Sequence, residues 1–282
     1  MAINSFVPTV WSATLQNSLN DQHIGAAHCN REFEGEISEK GNVVKICGLQ
    51  NVGIYDYTKN TDMNLPESLG DFSTDLEIDQ AKYFNFQIDD IERAQAMPKV
   101  MELAMKNAAY RLSNAADQIV FETIARNKPL DYLPPVVTSE NVIDEIVKAR
   151  MELYKDGVTN NDDIYIEISP EIAEYLIKAK IQTLSDNTDV LENGYLGKVA
   201  GCKVYVSKNI VQESSEFNGD INVHRCVIRT KRAVAFAEQL SEIQAYRPER
   251  RFADAVKGLY LFGCKVIYPN ECAMINLGIN EF

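Results

Sequence analysis

The chain has 282 residues and a mass of 31.7 kDa, with 45% hydrophobic and 24% charged residues, a balance that suits one elaborate domain or two modest ones and excludes wholesale disorder and collagen-like repetition. No apolar run approaches the roughly 20 residues of a membrane helix, and Met1-Ala2-Ile3-Asn4-Ser5 lacks the features of a secretory signal, so the chain is expected to stay in the cytoplasm where it is made. With 28 basic against 41 acidic residues the net charge is −13, which repels nucleic-acid phosphate and argues against sequence-specific DNA binding.

Phe6 to Leu19 carries Val10, Trp11, Leu15 and Leu19 at helical spacing and predicts a short amphipathic helix. From Glu32 to Cys47 the pattern turns to strands: Phe33 and Ile37 frame Glu34-Gly35-Glu36, Lys40-Gly41-Asn42 reads as a turn, and Val43 to Cys47 follows. Val52 to Thr58 and Phe72 to Ile78 predict a second pair, separated by a polar tip broken by Asn64, Pro66 and Gly70, and together these segments read as a long two-stranded arm. The arm is acidic, since residues 1–100 hold 7 basic and 15 acidic groups.

Lys82 to Ile88 alternates, with Phe84, Phe86 and Ile88 on one face, and predicts a half-buried strand. Pro98 to about Asn127 has no internal glycine or proline, and Met101, Met105, Ala108, Leu112, Ala115 and Ile119 recur every three or four residues. That predicts one long helix with a continuous packed stripe. After Pro129, Pro134 and Pro135, a second helix is expected over Ser139 to Tyr154, with Ile143, Ile146, Val147 and Leu153 inward and Gly157 as its stop. Ile164, Ile166 and Ile168 alternate as a strand, and Ser169-Pro170 then opens a helix to about Lys180. Leu184 to Gly201 reads as loop-rich. Strands follow at Cys202 to Val206, Val223 to Arg229 and Ala233 to Ala237, and the remainder is mostly strand with a basic break at Arg247-Pro248-Glu249-Arg250-Arg251.

No catalytic, cofactor or metal site is assigned. The six cysteines, Cys29, Cys47, Cys202, Cys226, Cys264 and Cys272, form no Cys-x-x-Cys pair and are read as buried thiols. The three histidines lie near no nucleophile elbow, and His28-Cys29 reads as a chance adjacency. Gly194 to Lys198 lacks two defining positions of a phosphate loop, Asp186 to Glu192 lacks the mid-loop glycine of a calcium loop, and Asp89-Asp90 and Asp162-Asp163 read as polar turns or caps.

Four segments carry a resemblance: Phe33-Glu34-Gly35-Glu36-Ile37; Gln87 to Gln95, with Ile88-Asp89-Asp90-Ile91-Glu92-Arg93-Ala94; Gly194-Tyr195-Leu196-Gly197-Lys198 running through Gly201-Cys202-Lys203 to Ser207; and Val256-Lys257-Gly258-Leu259-Tyr260-Leu261-Phe262-Gly263. With the order short helix, acidic arm, long helix, α/β segment and returning strands, the chain resembles a major capsid protein of tailed bacteriophages with the Hong Kong 97-type shell fold. The resemblance implies an α+β fold with an N-arm at 1–28, an extended loop at 29–80, a peripheral domain with its spine helix at 81–130 and 235–262, and an axial domain at 131–234 and 263–282. It implies that copies of the chain assemble as pentamers and hexamers into an icosahedral virion shell, built in the bacterial host cytoplasm, with a portal protein at one vertex and packaged double-stranded DNA held without sequence-specific binding. No membrane, cofactor or metal is implied. Because the sequence starts almost at the N-arm, a separate scaffolding protein is expected. Encapsulins, which share the fold, are the alternative, and a soluble cytoplasmic enzyme is the reading from a different class. The charge pattern adds one expectation: Asp62, Glu67, Asp71 and Asp75 of the arm meet Arg247, Arg250 and Arg251 across subunits, fixing registry more than affinity.

Overall fold

The structure is a computed structural model and describes residues 15, 17–19, 22–32, 43–49, 55–57, 59, 62, 71–89, 100–130, 134–159, 164–179, 195–215 and 221–280. Among these, Leu15 and Leu19 are buried and helical, whereas Val10 and Trp11 lie outside the described residues, as do the 33–42 hairpin segment, Asp162-Asp163 and the 186–192 loop.

The arm is a two-stranded antiparallel ribbon of β1 (Val43–Leu49) and β2 (Asp71–Glu77). This corrects the expected pairing of β2 with Val52 to Thr58: Tyr55, Asp56 and Tyr57 are outside any strand. The physical reason is burial. Val44 and Ile46 of β1 share a face with Leu76 and Ile78, and that face closes against Ala235, Ala237 and Leu261 of the body. Tyr55 and Tyr57 are exposed.

β3 (Gln80–Asp89) follows, with Phe84, Phe86 and Ile88 half-buried and their neighbours exposed, as the alternation predicts. It pairs with β10 (Ala253–Val266), which pairs in turn with β9 (Val234–Tyr246), giving a three-stranded antiparallel sheet. Helix α1 (Val100–Asn127) lies across that sheet; its 28 residues make it about 42 Å long. The packed stripe is rotated from the expected one. Met105, Ala109, Leu112, Ala116, Val120 and Ile124 are buried, while Ala108, Ala115 and Ile119 are only half-buried. The rotation brings Ser113 and Asp117 inward, two polar residues that a hydrophobic pattern assigns to solvent.

Helix α2 (Val142–Lys155) buries Ile146 and Leu153, carries Asp144 and Glu145 in its first turn and Lys155 in its last, and stops at Gly157, which adopts φ +88. β4 (Ile164–Ile168) then leads to α3 (Pro170–Lys178), where the Ser169 Oγ accepts a hydrogen bond from the Ile172 N–H at 3.3 Å and Pro170 occupies the first turn. β5 (Tyr195–Val199) and β6 (Cys202–Val206) form a hairpin, so the end of the stretch read as loop is a strand. Its two-residue turn explains this: Ala200 (φ 49) and Gly201 (φ 81) both take the left-handed conformation that matches strand twist. With β7 (Gln212–Ser215), β8 (Ile221–Thr230) and β11 (Cys272–Asn280), these strands make a six-stranded sheet ordered β11-β8-β4-β6-β5, with β7 on β8. All pairs are antiparallel except β4 with β6. The main core runs from α1 and the three-stranded sheet through to the six-stranded sheet and its two helices.

Candidate functional site: a buried strap and a basic hairpin turn

Residues 23–31 cross between the two sheets as a strap, held mainly by charge. At one end Asp117 of α1 accepts hydrogen bonds from the backbone N–H of Ile24 (3.0 Å) and Ala26 (2.9 Å). The His23 ring sits between acceptors on both sides: Nε2 is 3.1 Å from the Glu238 carboxylate of β9, and Nδ1 is 3.2 Å from the Ser113 hydroxyl and 3.7 Å from Asp117. Arg31 and the Tyr260 hydroxyl of β10 both donate to Glu238. Burial opposes charge on His23, but the hydrogen bonds to Asp117 and Glu238 outweigh it and push its pKa up to about 9. Burial likewise raises Glu238, yet His23 and Arg31 hold it below the ordinary carboxylate value.

At the strap's centre the partners are Glu167 of β4 and Arg229 of β8, both fully buried. Arg229 grips Glu167 through two nitrogens, at 2.9 and 2.7 Å, and donates to the carbonyls of Gly25 (2.7 Å) and His28 (3.0 Å) and to the Cys29 thiol (3.2 Å). His28 Nδ1 lies 3.0 Å from Glu167, its ring stacked on Tyr165 at 4.2 Å. Burial raises the Glu167 carboxyl, but the Arg229 charge and the His28 and Arg229 hydrogen bonds outweigh it and keep the group below its ordinary pKa. The strap ends as a parallel strand-like segment on β9: Asn30 N–H donates to the Val234 carbonyl (2.8 Å) and Asn30 O accepts from Phe236 N–H (2.9 Å). His28 and Cys29, read as chance neighbours, therefore enter the same polar cluster.

The ionised groups in these clusters have opposite charges beside them, and Asp117 and Arg229 hold the strap backbone. The open pocket of about 590 Å³ beside the strap includes Arg31, Lys231 and Arg232 in its lining, and two of these cations are already engaged, Arg31 by Glu238 and Arg232 by Glu271. Among the described residues no group of histidines, cysteines and acids has the arrangement of a metal site, and no helix is long and apolar enough to cross a membrane. Cys29, Cys202, Cys226 and Cys272 are buried free thiols and Cys264 is half-buried; burial pushes Cys226, Cys264 and Cys272 up to about 12.

Of the residues expected at subunit contacts, Asp71 and Asp75 lie on the ribbon, and Arg247, Arg250 and Arg251 lie in the connection between β9 and β10. Asp75 is exposed on β2, opposite Lys45 of β1, and Asp62 is exposed in the arm. Asp71 pairs with Leu49 at the outer end of the described ribbon, and Glu67 lies outside the described residues. Arg250 and Arg251 are exposed on the turn joining β9 to β10, beside Phe252, which is 84% exposed. Arg247 forms an ion pair at 3.5 Å with Asp254 of the same hairpin.

No family model and no curated protein matches the chain. Solved structures do. A chain of Mycobacterium phage Che8 is 27% identical, with 90% of each chain covered and a TM-score of 0.66. A chain from the capsid of Ralstonia phage GP4 is 14% identical, over 90% of this chain and 86% of that one, with a TM-score of 0.64. A virus-like particle from Pyrococcus furiosus matches at 11% identity, over 93% and 96%, with a TM-score of 0.54.

Proposed function

We propose that this chain, which has the α+β Hong Kong 97-type capsid fold, is the major capsid protein of a tailed bacteriophage and works by assembling with copies of itself into a closed shell. The observation that carries the reading is the likeness to the Che8 chain over nine-tenths of both lengths. A two-stranded ribbon that exposes Lys45, Asp75 and Glu77 on one face supports it, because such ribbons are marginal alone and gain stability by packing on a neighbour. In this reading the N-arm is 1–28, the extended loop 29–80, the peripheral domain 81–130 with 235–262, and the axial domain 131–234 with 263–282. The copies form pentamers and hexamers around packaged double-stranded DNA, with scaffolding and portal proteins as partners, and the role is structural rather than enzymatic.

Electron microscopy of the protein expressed alone and with its neighbouring reading frames tests this. Closed icosahedral shells or capsomer-sized rings are expected; small monomeric particles under both conditions overturn it. The likeness to the Pyrococcus particle keeps a protein-filled compartment as the second reading, and shells that carry protein cargo in place of DNA favour it.

Between subunits, the reading pairs the arm acids Asp62, Glu67, Asp71 and Asp75 with Arg247, Arg250 and Arg251. The exposure of Asp75, Arg250 and Arg251 supports this, as does Phe252, whose apolar ring at the same turn gains by being covered. Reversing the three arginines to glutamate is expected to stop shell formation while the subunit stays folded, and reversing the four acids to lysine as well is expected to restore it. A folded double reversal that never assembles removes the pairing.

A further inference from the structure

The strap contains two histidines, and His23 has a polar partner at each ring nitrogen and a carboxylate from each of two different elements. The groups facing it are Ser113 and Asp117 from α1, Glu238 from β9, the Tyr260 hydroxyl from β10 and Arg31 from the strap itself. With a proton on His23 the two carboxylates face an imidazolium between them, with the Arg31 guanidinium on Glu238. Removing that proton takes away the positive charge between Asp117 and Glu238 and leaves buried carboxylate charge less compensated. The same carboxylate that His23 neutralises, Asp117, holds the N–H groups of Ile24 and Ala26. The proton on His23 is thereby coupled to the seating of the strap backbone.

We propose that residues 23–31 form a proton-operated latch, closed across the two sheets by the imidazolium of His23 and opened at its N-terminal end when that proton leaves.

The direction follows from linkage. His23 is raised from 6.5 to about 9 in the closed strap, so the closing contribution is complete below pH 6.5, declines as pH rises and is gone above about pH 9. The Arg229–Glu167 contacts at the strap's centre carry no such dependence in that window, because Glu167 is held below its ordinary value and stays ionised. Opening is therefore confined to the end at residues 23–26, while Asn30 stays paired to β9. The latch rests on the geometry of the strap alone and stands whether or not the chain builds a shell.

Hydrogen exchange of the full chain between pH 6 and pH 9.5, corrected for intrinsic rates, reads the latch directly. Protection in the peptide holding Ile24 and Ala26 is expected to fall on the order of a hundredfold across that range, with the β8 and β11 peptides unchanged. His23→Gln is expected to lose protection at pH 6 already and to show no further fall. Flat protection in the wild type, or the same fall in His23→Gln, overturns the proposal. Should His23→Gln not fold, the wild-type chain labelled in its three histidines decides by nuclear magnetic resonance: one ring titrating near pH 9 supports the latch, and none above pH 8 overturns it.

Discussion

Arg229→Met is expected to destabilise the folded chain by roughly 3–5 kcal/mol, the range for removing one partner of a buried ion pair. Arg229 and Glu167 are both fully buried, so no water can replace the lost guanidinium. The substitution leaves the Glu167 carboxylate with His28 but without its guanidinium and takes one donor from each of the carbonyls of Gly25 and His28. The damage therefore reaches the strap as well as the joint between β4 and β8. The pH dependence carries a sign that separates this account from simple loss of packing. In the wild type Glu167 is held below its ordinary value, so its contribution is present above pH 4.5 and lost as pH falls through the lowered folded pKa. In Arg229→Met burial, the largest influence on Glu167, is opposed by His28 without the guanidinium, and the folded pKa is expected to rise above the unfolded one. The variant then gains relative stability as pH falls from 7 to 5, because Glu167 can take up a proton. The double variant Glu167→Met/Arg229→Met removes both charges and is expected to cost less than the sum of the single changes. Denaturant midpoints of the full chain at pH 7 and pH 5 measure all of this; additive singles, or an Arg229→Met loss that deepens toward pH 5, refute it.

The contrast between what periodicity reveals and what it conceals is sharpest in these same residues. The helical run of α1, the alternation of β3 and the Ser169-Pro170 start of α3 are local signals, each complete within one element, and the structure follows them, with the packed stripe of α1 rotated toward Ala109 and Ala116. The strap network has no local signal. Glu167 pairs with Arg229 across 62 residues and His23 with Glu238 across 215, and each polar residue sits where an element's pattern assigns it to solvent. Ile164, Ile166 and Ile168 place Glu167 on the opposite face of β4, which is the correct face; what sequence could not supply is that the strap covers that face too. A charged residue flanked by isoleucines in a short strand, and an arginine ending the apolar run of β8, were the only hints. The arm was legible as an extended ribbon but not in its pairing, because the choice between Val43–Leu49 and Val52 to Thr58 depends on which strand finds a body to bury against.

That body contact rests on Gly263, and Gly263→Ala is expected to loosen the arm from its base. The backbone of β10 at Gly263 lies against the backbone of Glu77 and Ile78, where the arm joins β3. A Cβ there would overlap the Glu77 carbonyl oxygen and come within 3.1 Å of the Ile78 Cα, and both obstacles are main chain, so no rotamer change relieves them. The junction has to move away, and it cannot move without separating Leu76 and Ile78 from Ala235, Ala237 and Leu261 or breaking the bond from Lys265 Nζ to the Asp75 carbonyl at 2.8 Å. Overpacking of this kind costs about 1–3 kcal/mol, and here the loss is concentrated on one small cluster rather than shared by the main core. Exchange protection of the β1 and β2 amides should therefore fall while the six-stranded sheet keeps its protection. Gly157→Ala is the matched control: it stands in open space with φ +88, so it should cost about 1–2 kcal/mol of backbone strain and leave the arm as protected as before. An arm equally protected in Gly263→Ala and wild type would mean that the ribbon is held by its own pairing and not by its seat on β10. In a shell built as proposed, the same seat fixes the direction in which the arm leaves its own subunit, so Gly263→Ala should also lower the yield of closed particles at a given protein concentration.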